Sequence, residues 1–143
     1  MAFSLPNAVL RAVPGAFILN SGYGKLNLDE QTAGHLQSMA ANAFPAVKDL
    51  DAATFGKAIA YSELVVGGAL VTPVIPSRLA GLALGAFAGG LLAMYFKTEE
   101  MTEDDGIRPS QAGTAVAKDS WIAAIALALI LQGKGKKKAK KKK

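Results

Sequence analysis

The chain contains no cysteine and a single histidine, His35. Without cysteine there is no disulfide, no thiol redox chemistry, no thiolate metal site and no cysteine lipidation within this sequence. One histidine on an amphipathic segment, with no partners at ligand spacing, gives no metal site, so none is expected. No haem, flavin or thiol motif is present, which leaves a stand-alone oxidoreductase without a cofactor site. Charge is absent from Leu79 to Phe96. The acidic run Glu99, Glu100, Glu103, Asp104 and Asp105 lacks the alternating ligands and glycine of a calcium loop and reads as a solvated charge run.

What the chain does have is apolar length. Runs at Ala8–Leu26, Phe55–Ile75, Leu79–Phe96 and a shorter one at Trp121–Leu131 approach the roughly 20 helical residues that cross a bilayer. The expected fold is all-α: a transmembrane four-helix bundle over residues 1–133, followed by a disordered lysine-rich tail over 134–143. The first run has no basic segment before it and no small-x-small site after it, so it is expected to be a retained helix. Between the first two runs, Asn27–Phe44 reads as a short amphipathic helix. Asn27 is its expected cap, Glu30 the capping-box partner and Pro45 the stop. Asp51 is the expected cap of the next helix, and Pro73 with Pro76 breaks the chain before the third. Gly81, Gly85 and Gly89 fall at GxxxG spacing, which lets helices approach closely in lipid. The last run is short for a span. Lys118 and Lys134 can snorkel outward around it, with Trp121 as an interface anchor.

The net charge of +5 belongs to the tail. Lys134, Lys136, Lys137, Lys138, Lys140, Lys141, Lys142 and Lys143 outnumber it by three, so the rest of the chain is net acidic. Beside a membrane span these lysines are expected to contact anionic lipids, at about 1 kcal/mol each near the surface. Nucleic acid is not an expected partner, because the tail has no aromatics for stacking. Four spans put both termini on one side, and the positive-inside rule makes that side cytoplasmic. Arg78, in the turn between the second and third runs, falls on the same side, and the acid-rich loops fall on the other.

Arg11, Lys25 and Glu63 lie within or at the ends of apolar runs, where ionisable groups are costly and face a bundle interior or a wet cavity. The topology allows a Glu63–Lys25 pair. Such a pair reads two ways: as a buried ion pair that fixes packing, or as a polar pocket for a quinone head group, a lipid head group or a proton.

Several short motifs occur in order. Arg11 and Gly15 precede Ser21-Gly22-Tyr23-Gly24-Lys25-Leu26. Glu63-Leu64-Val65-Val66-Gly67-Gly68-Ala69-Leu70 follows the short helix. Arg78-Leu79-Ala80-Gly81 opens the third run, and Lys118-Asp119 precedes the fourth. This pattern, from about Val9 to Leu131, resembles the DoxX-like family of small four-helix membrane proteins. The long acidic loop and the lysine tail depart from it. The resemblance implies an integral protein of the bacterial plasma membrane, with site residues Arg11, Lys25, Glu63 and Arg78. Some members are linked to thiosulfate–quinone oxidoreduction, others to membrane assemblies that handle thiol or oxidative stress. Two functions follow as expectations: an accessory, non-catalytic subunit of a membrane complex tied to quinone or redox chemistry, with a membrane-protein partner or a second copy; or a carrier of a small molecule or lipid built around Glu63.

Overall fold

The computed structural model describes the backbone of residues 4–140 and the side chains of residues 4–132. The lipid contacts expected of the lysine tail concern side chains outside that range; its expected disorder is corrected for residues 134–140, whose backbone is helical, and 141–143 lie outside the described residues. The described chain is helical, with no strand. Its helices are α1 (Leu5–Lys25), α2 (Glu30–Ala43), α3 (Ala52–Val71), α4 (Ser77–Lys97), α5 (Thr114–Ala117) and α6 (Asp119–Lys140), with single 3-10 turns at Pro45–Asp49 and Glu99–Met101.

Local chemistry sets most of the boundaries. Asp51 caps α3 by accepting from the Thr54 amide at 3.0 Å. Asp29, not Asn27, caps α2: its carboxylate accepts from the Thr32 amide at 2.7 Å and the Thr32 hydroxyl at 2.9 Å. Glu30 is therefore the first helical residue rather than a capping-box partner. Pro45 stops α2 as expected and opens a 3-10 turn. Gln37 holds that turn by donating to the Val47 and Leu50 carbonyls, both at 2.7 Å.

The four long helices run up, down, up and down. Along α1 and α3, Gly15 faces Leu70 while Gly22 faces Ala60, so the two helices are antiparallel. Along α4 and α6, Gly81 faces Ala126 and Leu129. These two pairs carry the most extensive contacts, and α2 lies across α3 at one end. Ile18, Val66, Leu70, Ala80, Leu84, Ala126 and Leu129 form the core where the pairs meet.

Close approach depends on specific glycines. A Cβ at Gly67 would lie 2.9 Å from the Leu19 amide nitrogen and 3.0 Å from the Gly15 carbonyl oxygen. One at Gly81 would lie 3.0 Å from the Ala126 carbonyl oxygen. Gly89, by contrast, has open space around its Cβ position, so the expected GxxxG stripe narrows to its first member, with Gly85 in ordinary contact.

Of the four expected spans, two meet the length and apolarity of a membrane crossing on their own. Ser77–Lys97 and Thr114–Gln132 are long and apolar enough to cross a membrane by themselves. Helices α1 and α3 have 21 and 20 residues, but polar positions such as Asn7, Arg11, Asn20, Ser21 and Lys25, or Lys57, Ser62 and Glu63, dilute their apolar content. The last apolar stretch is longer than its core of Trp121–Leu131, because α5 and the first turn of α6 extend it.

Candidate functional site

The ionisable residues of the bundle separate into two places. At the end where α3 stops and α4 starts, Arg11 is buried and aimed at main-chain oxygens. Its Nε donates to Leu70 at 2.8 Å, Nη1 to Ile75 at 2.8 Å and to the Ser77 hydroxyl at 3.2 Å, and Nη2 to Ala69 at 2.9 Å and Thr72 at 2.7 Å. A guanidinium has five N–H donors, and all five are used. The last carbonyls of a helix have no partner within it and carry its negative dipole end. Arg11 thus seals the α3 C-terminus and has no donor left for a ligand. Arg78 sits nearby but is exposed on the first turn of α4, with no ion pair among the described residues.

At the opposite end the structure brings Lys25 and Glu63 together. Lys25 Nζ lies 3.1 Å from each Glu63 carboxylate oxygen and 2.5 Å from Ser21 Oγ. Helical geometry explains the approach. Ser21 and Lys25 are four apart on α1, and Gly22 between them lets α3 come close enough that a Cβ there would lie 3.0 Å from Glu63 Cβ. Glu63 is 5% exposed, whereas the Lys25 side chain keeps 25% of its surface open.

The pair borders a chamber of about 210 Å³. Its walls come from α1, α2, α3, α4 and α6, and its polar groups are Ser21, Lys25, Glu63 and Asp119. Asp119 is the site residue that the motifs did not single out as a ligand position. It is partly buried at the start of α6, and no described residue makes a hydrogen bond or ion pair with its carboxylate. Its spacing of three from Ile122, which lines the same chamber, is the signal that places it there.

Beside the chamber lies an open apolar groove of about 660 Å³ between α2, α3 and α4. Phe55, Ile59, Phe87, Leu91 and Met94 line both spaces, so the partition is one side chain thick.

The acidic residues of the loop above this end are exposed, as a solvated run requires, and hydrogen bonds close the loop. Residues 102–109 close as a hairpin turn, with Gly106 at φ 70° and the Glu103 amide donating to the Arg108 carbonyl at 2.8 Å. Asp105 accepts from Arg108 Nε at 2.6 Å and from the amides of Ile107 and Arg108 at 2.9 Å. The Arg108 guanidinium, followed by those two amides, lowers the Asp105 pKa to about 2. Tyr95 ties the loop to α4 by donating to the Ile107 carbonyl at 2.9 Å. Among the described residues, no three histidine or carboxylate side chains gather to hold a metal, and His35 is exposed on α2.

No family model, no curated protein and no solved structure matches the chain.

Proposed function

We propose that this chain is a membrane-embedded four-helix bundle that holds an amphiphilic small molecule, with its polar end beside Lys25 and Glu63 and its apolar body in the adjoining groove. The observation that carries this reading is the juxtaposition of a small chamber with a buried ion pair and a larger apolar groove, one side chain apart. Ligand sites of about 300–1,000 Å³ are mostly apolar with a few placed polar groups. The chamber alone is smaller than that range and suits a head group.

Membrane embedding is supported by how polarity is distributed. The outward face of α1 carries Leu5, Val9, Val13 and Phe17, all at least 55% exposed, while Arg11 and Glu63 are turned inward. Only 28% of the Ser77–Lys97 stretch and 11% of Thr114–Gln132 is buried within the protein, unlike the core helix of a soluble domain. An apolar exterior around inward-facing charges is the arrangement a bilayer favours. In this reading all four long helices lie within the membrane, and the polar positions of α1 and α3 are matched inside the bundle.

The resemblance to DoxX-like proteins supports the same location through Lys25 and Glu63, and adds a quinone ring as one neutral head group. It is also the basis of the accessory-subunit reading. Purification from native membranes in mild detergent, with mass spectrometry of everything retained, separates the two. An amphiphile that co-purifies with the wild type and is lost from a Leu91→Trp variant, which fills the partition, is the expected result. A stoichiometric protein partner with no small molecule would establish the accessory subunit instead.

A further inference from the structure

The chamber's charge determines which amphiphile it takes. Three ionisable side chains line it: Lys25, Glu63 and Asp119. The Lys25 ammonium donates to Ser21 Oγ and to Glu63 Oε2, with Glu63 Oε1 also 3.1 Å away, which leaves it one N–H. Its charge is matched by Glu63, so the pair adds no net positive charge to attract an anion. Asp119 is the reverse: it faces the chamber with no donor among the described residues. When both carboxylates are ionised, the lining carries one net negative charge beside mostly apolar walls. An uncompensated charge in such surroundings is costly unless a counter-charge joins it.

We infer that the ligand's polar end is a cation, a protonated amine or similar donor-only head, held between Asp119 and the Glu63 side of the ion pair. This rests on the reading of the chamber as an amphiphile site and narrows it: the sign of the lining disfavours fatty acids and phosphorylated lipids, and a quinone, whose carbonyls only accept, gains nothing from an ionised Asp119. An ammonium satisfies the unpaired carboxylate by a charge-assisted hydrogen bond. The apolar remainder of the molecule passes the Phe87, Leu91 and Met94 partition into the groove.

The test uses the full chain in phosphatidylcholine nanodiscs at neutral pH, titrated calorimetrically with hexylamine, hexanol and hexanoate, three probes of one length and three charges. The inference expects hexylamine to bind at least about tenfold more tightly than either of the others. Asp119→Asn, with unfolding temperature and helix content unchanged, should erase the preference over hexanol. Hexanol binding as tightly as hexylamine, or hexanoate binding best, overturns the cationic head while leaving an amphiphile chamber in place. If none of the three binds and no amphiphile co-purifies, the chamber reading falls with it. Hexylamine binding that survives Leu91→Trp unchanged overturns the location.

Discussion

Arg11 Nε donates to the Leu70 carbonyl at 2.8 Å across 59 positions of sequence. Four further bonds from the same guanidinium cover the rest of the turn between α3 and α4. Removing the fork strands the buried Leu70 carbonyl and leaves three part-buried carbonyls without their donor. Arg11→Ala is expected to cost about 3 kcal/mol or more. Arg11→Lys, with three donors in place of five, should recover only part of this. Thermal unfolding of the purified variants in detergent checks both.

The Lys25–Glu63 pair is asymmetric. Glu63 lies deeper than Lys25, so Lys25→Met, which strands the buried carboxylate, should destabilise more than Glu63→Gln. Breaking a fully buried pair costs about 3–5 kcal/mol; the partial exposure of Lys25 brings Glu63→Gln nearer about 2 kcal/mol. The double variant Lys25→Met/Glu63→Met is expected to be more stable than Lys25→Met alone. A double-mutant cycle from denaturant unfolding reads the coupling.

Neighbouring glycines on α3 should respond with opposite signs. Gly67→Ala places a Cβ against the Leu19 backbone and should cost about 1–3 kcal/mol by pushing α1 away. Gly68 has open space at its Cβ position, so Gly68→Ala should be neutral or gain up to about 1 kcal/mol from helix propensity. Paired unfolding temperatures under one condition distinguish them.

The hairpin loop should loosen only in strong acid. The Asp105 carboxyl is held well below its ordinary range by Arg108 and two amides, to about 2 in the folded loop. A depressed carboxyl contributes stability that is complete above its unfolded value of 3.8 and is lost as pH falls through about 2. The Ile107 and Arg108 amide resonances should therefore titrate near 2 rather than near 4. Asp105→Asn should shift them already at neutral pH.

Much of this was legible in the residues. Apolar runs gave the long helices, Asp51 and Pro45 their boundaries, and the alternation of the helices brought Lys25 to the Glu63 end. The role of Arg11 was not, because its acceptors are main-chain carbonyls, and those leave no mark in a sequence. Asp29 outcompetes Asn27 as a cap because Thr32 stands three residues on, where both its amide and its hydroxyl can reach. Apolar run length did not separate α4 and the last helix, which are apolar enough to span alone, from α1 and α3, whose polar residues interrupt the run. Gly67 and Gly68 look alike in sequence, and only helix rotation tells contact from open space.

Arg11 at one end and Lys25 with Glu63 at the other both join α1 to α3; Arg11 also reaches the Ser77 hydroxyl at the start of α4, and no described salt bridge joins that pair to α4 and α6. The bundle resembles a book: two stiff covers, each fastened along its own length, and a spine of apolar packing between them. Chamber and groove both open along that spine. In the proposed membrane-embedded reading, a guest arriving from the bilayer parts the covers at the end away from Arg11, without breaking an ion pair.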